Sequence, residues 1–403
     1  MDTTNLPISI EKVAKSRLSE VDFSKLNFGK IFSDHMFICD YKNGQWQDAR
    51  IVPYGPFSVE PSLSVFHYGQ TIFEGMKAYK DDLGEVFLFR PTENYARMNK
   101  SCKRMSMPEF PEELFDKALK TLVDLDRLWI QPGLGNALYL RPFMIATSAG
   151  VQANPSTEYR FMIITSPVQS YYKGGELKVK IADHYSRAAN GGVGFAKTGG
   201  NYAGQFYPTA LAKEEGYQQI IWTDDATHQK LEECGTMNVV IRIGDTLISP
   251  PPTERILDGV TRKSVFAVAE KLGIAIESRS ITVTEVLEAA SKGTLKEIFG
   301  CGTAAVISPV NAFSYEGKEY RLPDLEDSYA KRIKEFLLNI QYNKSEDPFG
   351  WFISLVLQRF GSSAVKHRDK LLRDGFLSYQ QQCCYQPQGS FHHDQSPHEF
   401  VCS

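Results

Sequence analysis

No apolar run in the 403 residues approaches the ~18 that a membrane helix needs, so a membrane-spanning protein is not expected. Net charge is nearly absent as well: 45 Lys+Arg against 48 Asp+Glu leave −3 at pH 7. That balance gives no reason to expect nucleic acid or an anionic membrane surface as a partner. The amino terminus, Met1-Asp2-Thr3-Thr4-Asn5, lacks the basic segment and apolar stretch of a secretory signal. Seven cysteines include no C-x-x-C pair, and Cys39, Cys102, Cys234 and Cys301 stand singly along the body. Reduced thiols in the cytoplasm are expected rather than a disulfide framework. No Cys or His spacing supports a metal site, and His392, His393 and His398 have no such company.

What is present is length and pattern. The chain suffices for two ordinary domains and a large core. Asn43-Gly44 between strand-like runs marks a hairpin within Met36 to Val59, and Gly69 to Phe89 repeats the pattern around Asp81-Asp82-Leu83-Gly84. Glu93 to Met105 and Glu112 to Trp129 read as amphipathic helices, Asn136 to Thr147 and Tyr159 to Thr165 as buried strands. Further on, helices are expected after Asn201, over Thr261 to Leu272, after the capping box Thr282-x-x-Glu285, and over Glu326 to Asn343. Strands and helices mix without a regular βαβ repeat, which predicts α+β architecture. Residues 1–168 are assigned to an N-terminal domain, 169–176 to a polar linker ending in glycines, and 177–351 to a C-terminal domain. A site between the two domains is the natural expectation. From 352 to 403 the composition changes, with three of the seven cysteines, four of the eight histidines and six glutamines between Gln380 and Gln395. This tail is expected to be poorly ordered and dispensable.

Two short motifs carry chemistry. The first is Gly191-Gly192-Val193-Gly194-Phe195-Ala196-Lys197-Thr198-Gly199-Gly200-Asn201-Tyr202. A lysine is ordinarily a solvated surface charge, but one hemmed in by small residues can lie against a planar cofactor. The stretch misses the phosphate loop G-x-x-x-x-G-K-[ST], since Ala196 replaces the last glycine. It also misses G-x-G-x-x-G, where Lys197 takes the third glycine position. Schiff-base chemistry needs an amine of depressed pKa that also moves protons at a substrate's alpha carbon. The second motif is Glu233-Cys234-Gly235-Thr236-Met237-Asn238. A strand glutamate usually faces solvent. Here the small Gly235 would let it approach a ring closely, and pyridoxal phosphate needs a carboxylate at its pyridine nitrogen to act as an electron sink. Arg97 on the helix after Arg90-Pro91 and the helix start at Gly259-Val260-Thr261 are candidates for a phosphate. The small-residue loop Gly300-Cys301-Gly302-Thr303-Ala304 reads either as a simple turn or as part of the same site.

From about Phe28 to Trp351 the chain resembles the branched-chain amino acid aminotransferases, pyridoxal 5'-phosphate enzymes of fold type IV. The matching segments are Phe28-Gly29, Asp34-His35-Met36, His67-Tyr68-Gly69, Phe73-Glu74-Gly75-Met76-Lys77-Ala78 and Leu138-Tyr139-Leu140-Arg141-Pro142. The two motifs above, Gly259 to Arg262, Phe299 to Ala304 and Asp347-Pro348-Phe349-Gly350-Trp351 complete them. The resemblance implies the two-domain α+β fold of the class IV, D-amino acid aminotransferase-like enzymes, and a homodimer. It implies that Lys197 attaches the cofactor, Tyr202 meets its phenolic oxygen and Glu233 its ring nitrogen. Thr236 would lie beside the cofactor, with Arg97, Val260, Thr261 and Thr303 around the phosphate. Substrate carboxylate would meet Thr303 and Ala304. Phe28, Tyr68, Phe73 and Tyr139 would wall the side-chain pocket, with Arg141 open to a glutamate carboxylate.

The implied reaction is reversible ping-pong transamination between L-leucine, L-isoleucine or L-valine and 2-oxoglutarate, with 2-oxo acids and L-glutamate as the other small-molecule partners. The same fold also serves D-amino acid transaminases and aminodeoxychorismate lyases, and a catalytically dead paralogue is the remaining alternative. One departure stands out: the redox C-x-x-C of mammalian members is replaced by Ala305 and Ser308, so thiol regulation of that type is not expected.

Overall fold

The computed structural model describes residues 6–169 and 177–355. Most of the linker and nearly all of the tail therefore lie outside the described residues. No described helix is long and apolar enough to cross a membrane. Residues up to Leu355 form one compact unit carrying two large sheets.

In chain order the first half supplies β1 (Ser9–Ile10), β2 (His35–Lys42), β3 (Gln45–Pro53), α1 (Ser64–Tyr68), β4 (Thr71–Phe73), β5 (Met76–Lys80) and β6 (Val86–Phe89). It continues with α2 (Pro91–Arg104), α3 (Glu112–Leu125), β7 (Ala137–Ala146) and β8 (Tyr159–Val168). The sheet runs β1-β3-β2-β8-β7-β5-β6, with β4 also paired to β7. Its two hairpins follow from local chemistry. Asn43 (φ 53°) and Gly44 (φ 78°) both take positive φ between β2 and β3, the turn whose twist suits antiparallel strands. Between β5 and β6, Gly84 (φ 82°) turns the chain while Asp81 Oδ1 accepts the Leu83 and Glu85 amides at 2.9 Å. The apolar faces of α2 and α3 pack Met98, Cys102, Leu114, Leu119 and Leu122 onto Phe37, Phe110 and Phe161.

The second half supplies β9 (Lys178–Ile181), α4 (Gly200–Ala203), α5 (Phe206–Glu214), β10 (Gln219–Thr223), β11 (Leu231–Cys234), β12 (Met237–Ile243) and β13 (Thr246–Ser249). After these come α6 (Val260–Lys271), β14 (Ala275–Ser278), α7 (Val283–Ser291), β15 (Leu295–Gly302), β16 (Val306–Pro309), β17 (Ala312–Tyr315), β18 (Lys318–Arg321) and α8 (Tyr329–Gln341). The main path is β14-β13-β12-β11-β10-β9-β17-β18, with β15 joining β12 to β16. As the capping box predicts, Thr282 caps α7 by accepting from the Glu285 amide. The single helix expected after Asn201 is instead two short ones, α4 and α5, separated at Gly204-Gln205.

The boundary expected at Trp351 is corrected. Phe352–Ser354 form β19, antiparallel to β6 at the edge of the first sheet. Phe352 stacks on Phe87 at 4.0 Å between ring centroids, and Leu355 is buried in the first-half core.

Candidate active site

Where the two halves meet, a cleft of about 940 Å³, measured out to its mouth, collects all of the residues singled out from the sequence except Tyr68. At its centre Lys197 Nζ donates to Tyr202 Oη at 2.8 Å and stands 4.7 Å from the Phe73 ring centroid. Small neighbours make this possible: a Cβ at Gly194 would overlap the Arg255 backbone and the Ala188 side chain. The lysine's main chain is tied to the first half. Its carbonyl accepts from the Phe73 amide at 2.9 Å, and its amide donates to Ser101 Oγ at 2.9 Å.

Glu233 sits at one end of the cleft, on β11, where the Gly235-Thr236 turn reverses the chain into β12. Its Oε1 accepts from the Leu257 amide at 2.7 Å. Its Oε2 lies 3.1 Å from Arg187 Nε, an ion pair without hydrogen-bond alignment. Burial pushes the Glu233 carboxyl up from its ordinary value, and the charge of Arg187 and the Leu257 amide oppose that push. A cation placed at this carboxylate would relieve the same tension.

The α6 N-terminus supplies another wall. Val260 and Thr261 line the cleft in its first turn, where backbone N–H groups have no helical partner. Arg97 faces the same region and donates through Nη1 to the Asp258 carbonyl at 3.1 Å. Its Nε and Nη2 each reach a Glu74 oxygen at 2.8 Å. A guanidinium has five N–H donors, so Arg97 retains two for a ligand. Burial would raise the Glu74 carboxyl, but the charge and hydrogen bonds of Arg97, with Lys197 and Asn94, hold it below the ordinary range. Thr303 and Ala304 close this end in the β15–β16 turn, and the Ala304 carbonyl accepts from Lys77 Nζ at 2.8 Å. Lys77 is buried, and desolvation with Lys334 nearby lowers it to about 8. Cys301 also lines the cleft, but burial raises its thiol to about 12, so it offers no thiolate at neutral pH.

The opposite wall is aromatic. Phe28 and Tyr139 meet edge-on at 4.9 Å, and Arg141 lies 4.5 Å over the Phe73 ring. Arg141 Nη2 donates to Tyr139 Oη at 3.0 Å, while its buried Nε has no partner. Gly75 makes the wall possible, since a Cβ there would overlap the Tyr139 hydroxyl. Tyr68 lies outside the cleft of its own chain: it is half-exposed at the end of α1 and donates to the Val151 carbonyl. Three further cleft-supporting residues carry weak or no sequence signals. Glu74 is an acid inside an otherwise apolar run; Asn238, whose Nδ2 donates to the Leu257 carbonyl at 2.9 Å, is the end of a motif; Arg187 bears no mark at all.

Comparison with known proteins agrees with this geometry. Residues 71–313 match the model of the family described as amino-transferase class IV. The chain belongs to the class IV aminotransferases. Among its relatives is branched-chain-amino-acid transaminase 1 of Bacillus subtilis, 44% identical over 83% of this chain and 95% of the relative. The branched-chain-amino-acid aminotransferase of Mycolicibacterium smegmatis is 40% identical over 81% and 92%. A solved Escherichia coli branched-chain amino acid aminotransferase shares the fold, with a TM-score of 0.65 and 24% identity over 80% of this chain and 99% of that one. The family's cofactor is pyridoxal 5'-phosphate, and the cleft fits it. A central amine, a buried carboxylate wanting a cation and a helix N-terminus beside a half-used arginine are the donor set such a molecule needs.

Proposed function

We propose that this aminotransferase works as a homodimer that exchanges the amino group of L-leucine, L-isoleucine or L-valine with 2-oxoglutarate, releasing the matching 2-oxo acid and L-glutamate. The observation that carries the substrate reading is one wall holding three aromatic rings and a single guanidinium with a free buried donor, Arg141 Nε. Such a wall accepts a branched aliphatic chain by burial, worth roughly 1.5–3 kcal/mol, and a second carboxylate by charge. The apolar Phe66 and Val151 and the aromatic Tyr68, all exposed, supply surface of the kind a second copy covers.

In this reading pyridoxal phosphate, when bound, supplies the electron sink for charge left at the substrate's alpha carbon. Glu233 holds the ring nitrogen protonated, and Arg187 keeps Glu233 a carboxylate against its burial. Arg97, Thr303 and the Val260 and Thr261 amides hold the phosphate. Lys197 would carry the cofactor, and its Nζ as a free amine would move the proton at the substrate's Cα, with Tyr202 Oη fixing the amine's approach. Backbone amides of Thr303 and Ala304 orient the substrate carboxylate, and the aromatic wall excludes water from that face.

The test is an absorbance spectrum of the purified protein. A yellow band that bleaches with L-leucine and with L-glutamate is expected. Bleaching by D-alanine alone, or by no amino acid, would overturn the assignment.

A further inference from the structure

We propose that Ser101 is a positioning residue that locks the backbone of Lys197 to the helix carrying Arg97. The inference rests on Lys197 being the cofactor lysine. Ser101 lies on α2 and is fully buried. Its hydroxyl donates to the Arg97 carbonyl one turn back, at 3.0 Å, and accepts from the Lys197 amide at 2.9 Å. A hydroxyl has one proton and two lone pairs. Spending the proton on Arg97 leaves only acceptor capacity for Lys197, so the two bonds fit one orientation.

Two further ties at Lys197 and Thr198 come from β4. Phe73 donates to the Lys197 carbonyl, and Thr198 Oγ1 donates to the Thr71 carbonyl at 2.7 Å. Those contacts fix the lysine to the sheet; Ser101 fixes it to α2. The same helix grips the glycine-rich loop again, Arg104 donating to the Gly191 and Gly192 carbonyls at 3.1 and 3.3 Å. Lys100 Nζ, on the same helix, lies 5.3 Å from the Phe195 ring centroid. One rod therefore sets the distance between a guanidinium at the phosphate end of the cleft and the Cα from which the amine hangs. A lysine stem has four torsions, so a small error at its Cα becomes a large one at Nζ. Misplacement of about 1 Å in such chemistry costs on the order of 100-fold in rate. Removing the hydroxyl also takes the acceptor from the Lys197 amide.

The experiment uses the holoenzyme with Ser101→Ala and Ser101→Cys, the second a somewhat larger side chain whose sulfur accepts more weakly. Steady-state kinetics with L-leucine, the pH midpoint of the cofactor absorbance band, cofactor dissociation and borohydride mapping are read together with the thermal midpoint. For Ser101→Ala we expect kcat to fall 10- to 100-fold with KM within about threefold, a moved spectral midpoint, and a reduced adduct still on Lys197. Cysteine should lie between serine and alanine. Full kcat in either variant overturns the proposal, and so does a kcat loss with an unmoved spectral midpoint. If the alanine variant does not fold, the cysteine variant decides by the same criteria. A wild-type adduct on a different lysine overturns the cofactor assignment itself, which separates that failure from a failure of Ser101.

Discussion

Glu74 meets Arg97 through two parallel contacts, Oε1 to Nε and Oε2 to Nη2, each 2.8 Å. The carboxylate is wholly buried, so the pair is held in a low-dielectric setting where geometry matters more than in water. Asn94 Nδ2 adds a third contact at 2.9 Å. Replacing Glu74 by Gln keeps the shape but removes the charge and one acceptor. The dissociation constant for pyridoxal phosphate, from fluorescence titration of the apoenzyme, should rise at least tenfold, about 1.4 kcal/mol. Unchanged affinity would mean that Arg97 is positioned by the Asp258 carbonyl alone.

Lys197→Ala should abolish turnover and covalent cofactor attachment while leaving the fold intact. Both losses follow from one missing amine. Circular dichroism checks the fold, and borohydride reduction with peptide mapping checks the attachment; an adduct elsewhere would contradict the prediction.

Arg141→Met should act asymmetrically. A guanidinium over Phe73 helps a substrate only where a second carboxylate reaches it. kcat/KM for L-glutamate and 2-oxoglutarate should fall by at least tenfold more than that for L-leucine. Equal losses would make Arg141 a packing residue, acting through its bond to Tyr139.

Lys77 gives a pH prediction. Burial lowers its pKa to about 8 in the folded protein, against about 10.4 in an unfolded chain. Between those values the unfolded state binds more protons, so stability from this group rises with pH. The full change is about 3 kcal/mol. Urea midpoints of wild type and Lys77→Met should therefore diverge in favour of wild type as pH rises from 8 to 10.5. Parallel curves would show that the amine is solvated. The KM for L-leucine should also rise above pH 8, because a neutral amine polarises the Ala304 peptide less.

Ending the chain at Trp351 should cost stability that ending it at Leu355 does not. Leu355 alone is worth about 2 kcal/mol by its burial, and Phe352 adds its stack on Phe87. Comparing urea midpoints of the two truncations measures it. Equal midpoints would remove β19 from the list of stabilising elements.

Much of this was legible in the chain because local chemistry and tertiary role coincide. Asn43-Gly44 makes a hairpin on its own terms, and Thr282 caps α7 with its own side chain. Lys197 and Glu233 were visible because each is set among small residues within a short stretch of chain. Arg187 was not, since its meeting with Glu233 depends on how β9 and the loop beyond it lie against β11, which no short-range pattern encodes. Where Tyr68 points was not legible either: α1 is five residues long, and the meeting of the Tyr68 hydroxyl with the Val151 carbonyl is a contact that no short-range pattern encodes. Phe352 was missed because a three-residue strand is too short to show a period.

The return of β19 to the first sheet bears on how the protein is made. A ribosome delivers β1 through β8 early, yet the free edge of β6 stays uncapped until Phe352–Ser354 have been synthesised, after the whole second half. An uncapped edge invites pairing with the wrong strand, and domains ordinarily fold as they emerge. The nascent chain thus carries an open seam while the whole second half is made, and only β19 closes it.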